Sequence, residues 1–320
     1  MSALPDPVLF IGGAPRSGTT LLRNMVGSHP QLAVPDESYF IRLVWRRLVR
    51  LGRTDDLDLA WQLIRQERFF KQWKLAPARV EETLAAHPPA TYPDLIRVLF
   101  AAHAASVGKP LSADKTPSHV HHFDWYSERF PTSRFVNVLR DPREACMSLS
   151  VQPWHRGGIA EAAWEWMNDV RIARRAVVGL TSRYLEVRYE DLVRRSEYEL
   201  RRLCDFAGLP FAEEMLEYPG SQHLLLDVHH THSRGDLRVG LRRWQDELLP
   251  DDVALIEHIA GPLMDEVGYA CVTDWASARV RLAGWRHRVR RRSLRRRDRW
   301  LRLRAPRVGT LLHTVAPRRP

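Results

Sequence analysis

A chain of 320 residues with 44% hydrophobic and 27% charged side chains is long enough to bury a substantial core and is ordinary for a globular protein. Its net charge of +11 sits in one place: residues 279–320 hold sixteen arginines against one acid, Asp298, so residues 1–278 sum to −4. This distribution argues against a nucleic-acid-binding body, and three scattered cysteines (Cys146, Cys204, Cys271) with no CxxC pair argue against a zinc or redox centre.

The first predicted element is a strand at Val8–Ile11, a short apolar run of the kind buried on both faces of a sheet. Gly12 and Gly13 break it, and Leu21, Leu22, Met25 and Val26 then recur at helical spacing. Strand, glycine-rich turn and helix together aim backbone N–H groups at one point, an anion site suited to phosphate. Gly13 and Gly18 keep the spacing of a Walker A loop, but Thr19 stands where its lysine belongs. Arg16 lies inside the loop instead, a planar fork suited to phosphate or sulfate.

Ser28-His29-Pro30 and a loop through Pro35-Asp36-Glu37 follow. Residues 38–107 read as a helical insertion beside the sheet, punctuated by Pro77, Pro88-Pro89 and Pro93. Its aromatics (Trp45, Trp61, Phe69, Phe70, Trp73) fit either a core or a substrate-facing wall. Leu111–Lys115 is a short strand, and Thr116-Pro117 opens a helix running to Phe130. Phe135–Leu139 is a strand, and Asp141-Pro142-Arg143-Glu144 spells the start of a helix. Ala160–Val178 is helical, Arg183–Tyr189 a strand, and a last helix closes at Gly208-Leu209-Pro210.

Strands alternating with helices imply an α/β fold, a P-loop-like parallel sheet flanked by helices, whose ligands bind beyond the carboxyl ends of the strands. Arg16 and Arg140 follow predicted strands and Lys115 and Tyr189 close them, so four strand ends bring anion-compatible groups to one rim. Arg140 fits a phosphate contact, or a pairing with Asp141 or Glu144. Ser148 lies eight residues on in the next helix.

Pro15-Arg16-Ser17-Gly18-Thr19-Thr20 resembles the 5′-phosphosulfate loop of sulfotransferases that use PAPS, 3′-phosphoadenosine 5′-phosphosulfate. The stretch through His29-Pro30 and Asp36-Glu37-Ser38 is similar to the branch containing tyrosylprotein sulfotransferases and many bacterial relatives. The resemblance implies sulfuryl transfer from PAPS to a hydroxyl acceptor, with the loop and Arg16 on the phosphosulfate and Lys115, in Asp114-Lys115-Thr116-Pro117, steadying the transition state. It implies that Arg140 and Ser148 bind the 3′-phosphate and that Glu37 is the base. Pro35-Asp36-Glu37 stands where that branch typically has Gly-Glu-Glu, so the second acid is retained and the first shortened. A histidine base, as in other branches, is the alternative.

Ser233-Arg234-Gly235-Asp236 and Arg238-Val239-Gly240 look like the family's loop over the nucleotide, which makes Ser233 and Arg238 cofactor contacts. The resemblance runs from about residue 8 to Tyr269 and is weakest over the helical stretch. No metal is expected, because the histidines at 119, 121 and 122 and at 229, 230 and 232 lack an acid at ligand spacing.

Residues 1–278 are thus read as the catalytic domain and 279–320 as an Arg-rich tail, either a basic helix lying on an anionic membrane surface or polyanion, or a solvated arm. With no basic-then-apolar leader before Gly12 and no apolar run near the ~20 residues of a membrane span, a cytoplasmic setting is expected. The rival activities are a kinase-like phosphotransferase using Arg16 in place of the Walker lysine, and a nucleotide-binding scaffold without catalysis.

Overall fold

In a computed structural model of the chain, residues 4–217 and 244–273 are described. Ser233, Arg238, the histidines at 229–232 and the Arg-rich tail lie outside these residues.

Every residue of β1 (Leu9–Gly13) is buried. It pairs in parallel with β4 (Asp114–Lys115) on one side and β5 (Arg134–Leu139) on the other, with β6 (Tyr184–Arg188) beyond β5. The predicted strand Leu111–Lys115 is divided at Ala113 into β3 (Leu111–Ser112) and β4, because the segment changes partners there. The Leu111 and Ala113 N–H groups donate to Gln31, just before β2 (Leu32–Ala33), and to Ala33 within it, while Ser112 accepts from Val8 and Thr116 donates to Ile11 in β1. The main sheet therefore runs β4, β1, β5, β6, and the short β2–β3 ladder continues it beyond β4, so the lateral order is β2, β3/β4, β1, β5, β6. From β1 the chain goes first to β2, farthest out on one side, returns to β3 and β4 beside β1, and then crosses to β5 on the other side, so connections diverge at the carboxyl end of β1, where open α/β sheets bind ligands.

Period-two alternation divides the strands between two layers. Leu9, Ile11, Val136, Val138 and Val187 pack with α1 (Thr19–Ser28) and α11 (Ser196–Ala207). Phe10 and Phe135 face the opposite layer, under α7 (Phe123–Arg129) and the helices between β2 and β3. Phe10 is fully buried, its ring 4.5, 5.3 and 5.9 Å from those of Tyr126, Phe130 and Phe135. Truncating it to Ala would cost ~3–5 kcal/mol.

The β2–β3 connection holds α2 (Phe40–Leu51), α3 (Leu57–Gln66), α4 (Arg68–Gln72), α5 (Pro77–Ala86) and α6 (Tyr92–Ser106). Of the two readings of its aromatics the core prevails: Phe70 and Trp73 are buried in the cluster of this layer, and Trp45, Trp61 and Phe69 pack against that cluster. A third cluster joins α8 (Pro142–Ser150), α9 (Gly158–Ala176) and α13 (Pro250–Glu266) through Leu139, Trp166, Ile256 and Met264; α12 (Trp244–Glu247) precedes α13. Lys109 closes the far end of α1, donating to the carbonyls of Gly27, His29 and Leu32 at 2.6, 3.0 and 2.9 Å, as a cation at a helix C-terminus should.

Two predicted elements differ in kind. The helix expected over 117–130 is a 3-10 turn (Pro117–His122) followed by α7. The tight turn lies directly on β1: a Cβ on Gly12 would fall 2.9 Å from Val120 Cγ1 and 3.0 Å from Val120 N, so only glycine permits the approach. The last strand ends at Arg188, and Tyr189 opens α10 (Tyr189–Arg194). Among the described residues no helix is long and apolar enough to cross a membrane.

Candidate active site

The loop after β1 turns on one backbone bond, Ser17 N–H to Ala14 O at 3.1 Å. Arg16 and Gly18 both take the left-handed conformation, at φ 67° and 94°. Gly18 caps α1, which has neither a capping side chain nor an acid in its first turn, so the helix presents open N–H donors and the positive end of its dipole. Ser17 is fully buried, and its Oγ has no partner among the described residues. An unpaired buried hydroxyl is costly unless a ligand or water meets it. Open donors beside that hydroxyl fit a phosphate or sulfate oxygen. Thr19 is buried in the first turn of α1, with Thr20 and Pro15 half-buried at the rim.

Arg140, just beyond β5, donates from Nη1 to the carbonyl of Arg16 at 3.1 Å. Arg16 Nε donates to Ser148 Oγ at 3.0 Å. The Arg140 guanidinium lies 4.3 Å over the ring of Tyr189, and that ring abuts Gly18, where a Cβ would fall 2.3 Å from it. Arg16, Gly18, Arg140, Ser148 and Tyr189, drawn from four segments, thus form one contiguous group. Between the two pairings open to Arg140, the structure selects Glu144, with Nη2 to Oε2 at 2.8 Å. Asp141 is engaged elsewhere, capping α8 and gripping Arg143 at 2.9 and 2.7 Å.

At the end of β4, Lys115 Nζ donates to Glu37 Oε1 at 2.6 Å. The lysine side chain is 3% exposed and the glutamate 28%, so the ammonium is sealed while the carboxylate keeps an open edge. Burial lowers the Lys115 pKa and the charge of Glu37 opposes that fall. Burial and then Glu37 raise the Tyr39 phenol above its ordinary range.

A buried polar network sets the pair. Ser38 Oγ and His119 Nε2 both hydrogen-bond Asp114 Oδ2, the latter at 2.7 Å, and Ser38 N–H donates to Thr116 Oγ1 at 2.8 Å. Glu37 precedes Ser38 and Lys115 follows Asp114, so this contact fixes which acid meets which base. Asp36 turns the other way, to Arg23 at 2.8 Å, and its carbonyl accepts from Trp73 Nε1 at 2.7 Å. His119 is consumed by this network, and His121 pairs with Asp169 at 2.7 Å. Among the described residues no group of three or more His, Cys, Asp or Glu is arranged to hold a metal ion.

Residues 7–213 match the sequence pattern described as Sulfotransferase family. The chain is a member of the sulfotransferase family. Similar proteins include protein-tyrosine sulfotransferase A of Caenorhabditis elegans, 24% identical over 277 residues, covering 82% of this chain and 67% of that one. Protein-tyrosine sulfotransferase 2 of Gallus gallus is 26% identical over 293 residues, covering 82% and 69%. The fold is shared with the solved sulfotransferase domain of the Synechococcus PCC 7002 olefin synthase, at a TM-score of 0.60 and 24% identity, over 84% of this chain and 96% of that one.

The sulfotransferase therefore has the α/β sheet and the enzyme class expected from its loop after β1. Sequence reasoning gave no role to Arg23, Ser38 or Asp114 and weighed His119 only as a metal ligand, whereas Glu144 was one of the two partners it offered Arg140. Ser38 and Asp114 are visible as neighbours of Glu37 and Lys115, but nothing local signals that they touch across 76 positions.

Proposed function

We propose that this sulfotransferase moves a sulfuryl group in line from PAPS to a hydroxyl acceptor, with Glu37 as base and Lys115 and Arg16 stabilising the developing charge. One observation carries the proposal: Arg16, Ser148, Arg140 and Tyr189 form a single cluster at the strand ends, beside a sealed lysine paired with a half-open carboxylate. The unpaired Ser17 hydroxyl and the uncapped start of α1 fit an anionic oxygen.

PAPS, when bound, supplies the sulfuryl group and an anionic phosphate as the leaving group. Pro15 to Thr20 would receive its 5′ end through loop and helix N–H groups, with Arg16 as the fork. Arg140 and Ser148 would take the 3′-phosphate, and Tyr189 offers a ring face beside it. Lys115 holds a proton at Nζ and stabilises negative charge where water is excluded, which is worth more than the same contact in solvent. Glu37 keeps Lys115 charged through one oxygen and accepts the proton of the acceptor hydroxyl with its carboxylate. The loop carrying Asp36 and Glu37 runs directly into α2 and is held by Trp73, so the helices at 38–107 are assigned to the acceptor side.

The test is ligand stabilisation of the full chain by PAP (3′-phosphoadenosine 5′-phosphate), ADP and ATP, followed by transfer from labelled PAPS with and without magnesium. PAP at a hundred times its Kd should stabilise by about 2.7 kcal/mol, and ADP by clearly less. Magnesium-dependent turnover of ATP, with no preference for PAP, would assign a kinase-like activity instead.

A further inference from the structure

Glu190 bridges the elements that carry Arg140 and Tyr189. It follows Tyr189 in α10 and accepts the backbone N–H of Asp141 on Oε1 at 2.8 Å. Asp141 is in turn the residue after Arg140 and the N-cap of α8. The second oxygen, Oε2, accepts the phenol of Tyr269 at 2.9 Å. Tyr269 is buried, with the Arg188 guanidinium 4.7 Å over its ring and Arg188 also hydrogen-bonded to the carbonyl of Val267. Both partners of Glu190 are therefore held by the fold. Burial raises the carboxyl of Glu190, against the hydrogen bonds from Asp141 and Tyr269 that favour its charged form. A carboxylate kept in such surroundings needs a return, and its position shows one. The bridge sets the start of α8 against the start of α10, which places Arg140 over Tyr189 and Tyr189 against Gly18.

We propose that Glu190 is a positioning residue for the seat of the nucleotide's 3′-phosphate. It acts through the Asp141 N–H and the Tyr189 backbone to hold the Arg140 guanidinium over the Tyr189 ring, where it also keeps its pair with Glu144. This role rests on the PAPS assignment above. Its signature is selective: without the bridge, ligands bearing a 3′-phosphate lose affinity, while those bearing only a 5′-diphosphate keep most of theirs, because the loop after β1 supplies that contact.

The experiment is calorimetric titration of the full chain with PAP and with ADP, for wild type, Glu190→Ala and Glu190→Gln. Glu190→Ala should lower the PAP-over-ADP preference about tenfold, the scale of one hydrogen bond to a charged group. Glu190→Gln should stay within about twofold of wild type, because the amide oxygen still accepts from Asp141. An unchanged preference in a folded Glu190→Ala variant, or equal weakening of PAP and ADP, overturns the positioning role. If Glu190→Ala fails to fold, Tyr269→Phe decides: it should lower the preference in the same direction by a smaller factor, and no change overturns the proposal. A wild-type protein with no preference for PAP would overturn the PAPS assignment and this role with it, an outcome distinct from a preference that the variants leave intact.

Discussion

Lys115 Nζ stands 2.6 Å from Glu37 Oε1, with the ammonium buried and the carboxylate partly exposed. A pair of this kind does two things at once. The carboxylate keeps a desolvated lysine charged, and the lysine holds the carboxylate in one orientation beside the strand ends.

Replacing Glu37 by Gln should lower turnover by ~10²–10⁴ if it removes the base. Binding of PAP should change little, because the proposed phosphate contacts come from the loop after β1, Arg140 and Ser148, while Glu37 is paired with Lys115. Single-turnover transfer from labelled PAPS checks both points, and near-normal turnover would move the base elsewhere.

The Arg140–Glu144 pair is an i,i+4 contact in which both side chains are largely covered. Pairs of this type contribute only ~0.3–0.5 kcal/mol when exposed, and a carboxylate at 2.8 Å opposes an arriving phosphate. Glu144→Gln should therefore tighten PAP binding by about three- to tenfold while shifting the melting temperature little. ADP binding should stay constant; a parallel gain for ADP would dissociate Glu144 from the 3′-phosphate.

Gly18→Ala should damage both the loop and its neighbour. The residue sits at φ 94°, and a Cβ would fall 2.3 Å from the Tyr189 ring. The strain alone is ~1–3 kcal/mol, and relief requires Tyr189 to move away from Arg140. A lower melting temperature with loss of the PAP-induced shift is expected, and an unaltered shift would show that the Tyr189 ring is dispensable.

Acid should destabilise the protein through two histidines. Burial holds His103 and His122 down at about 4, below the ordinary value of 6.5. The unfolded chain therefore takes up more protons as pH falls, so this part of the stability is present above about 6.5 and is lost between there and about 4. His121, raised by its hydrogen bond to Asp169, has the opposite sign and adds stability on the acid side. Melting curves from pH 7 to 4.5 should fall, and His103→Gln should flatten that limb; superimposable profiles for the two proteins would refute the assignment.

Much of the site was legible before any coordinates. β1 opens on the apolar run Leu9-Phe10-Ile11, and β5 is apolar at Phe135, Val136, Val138 and Leu139 around Asn137, because both their faces are covered; Gly12-Gly13 marks the end of β1. Alternation with helices makes the sheet parallel, and a parallel sheet presents its strand ends on one edge. Arg16, Lys115, Arg140 and Tyr189 therefore had to share that edge, whatever their contacts.

Those contacts were decided by packing. Arg140 had two acids within four residues, and the placement of α8 gave it Glu144 while Asp141 turned to Arg143. Ser38 meets Asp114 only because the helices between β2 and β3 return the chain to the same edge, and Glu190 meets Asp141 only because α8 and α10 start side by side. Periodicity and turn chemistry are written in residues a few positions apart, so they survive in one dimension. A hydrogen bond between distant segments depends on where the backbone is carried in space, and only the folded chain holds that information.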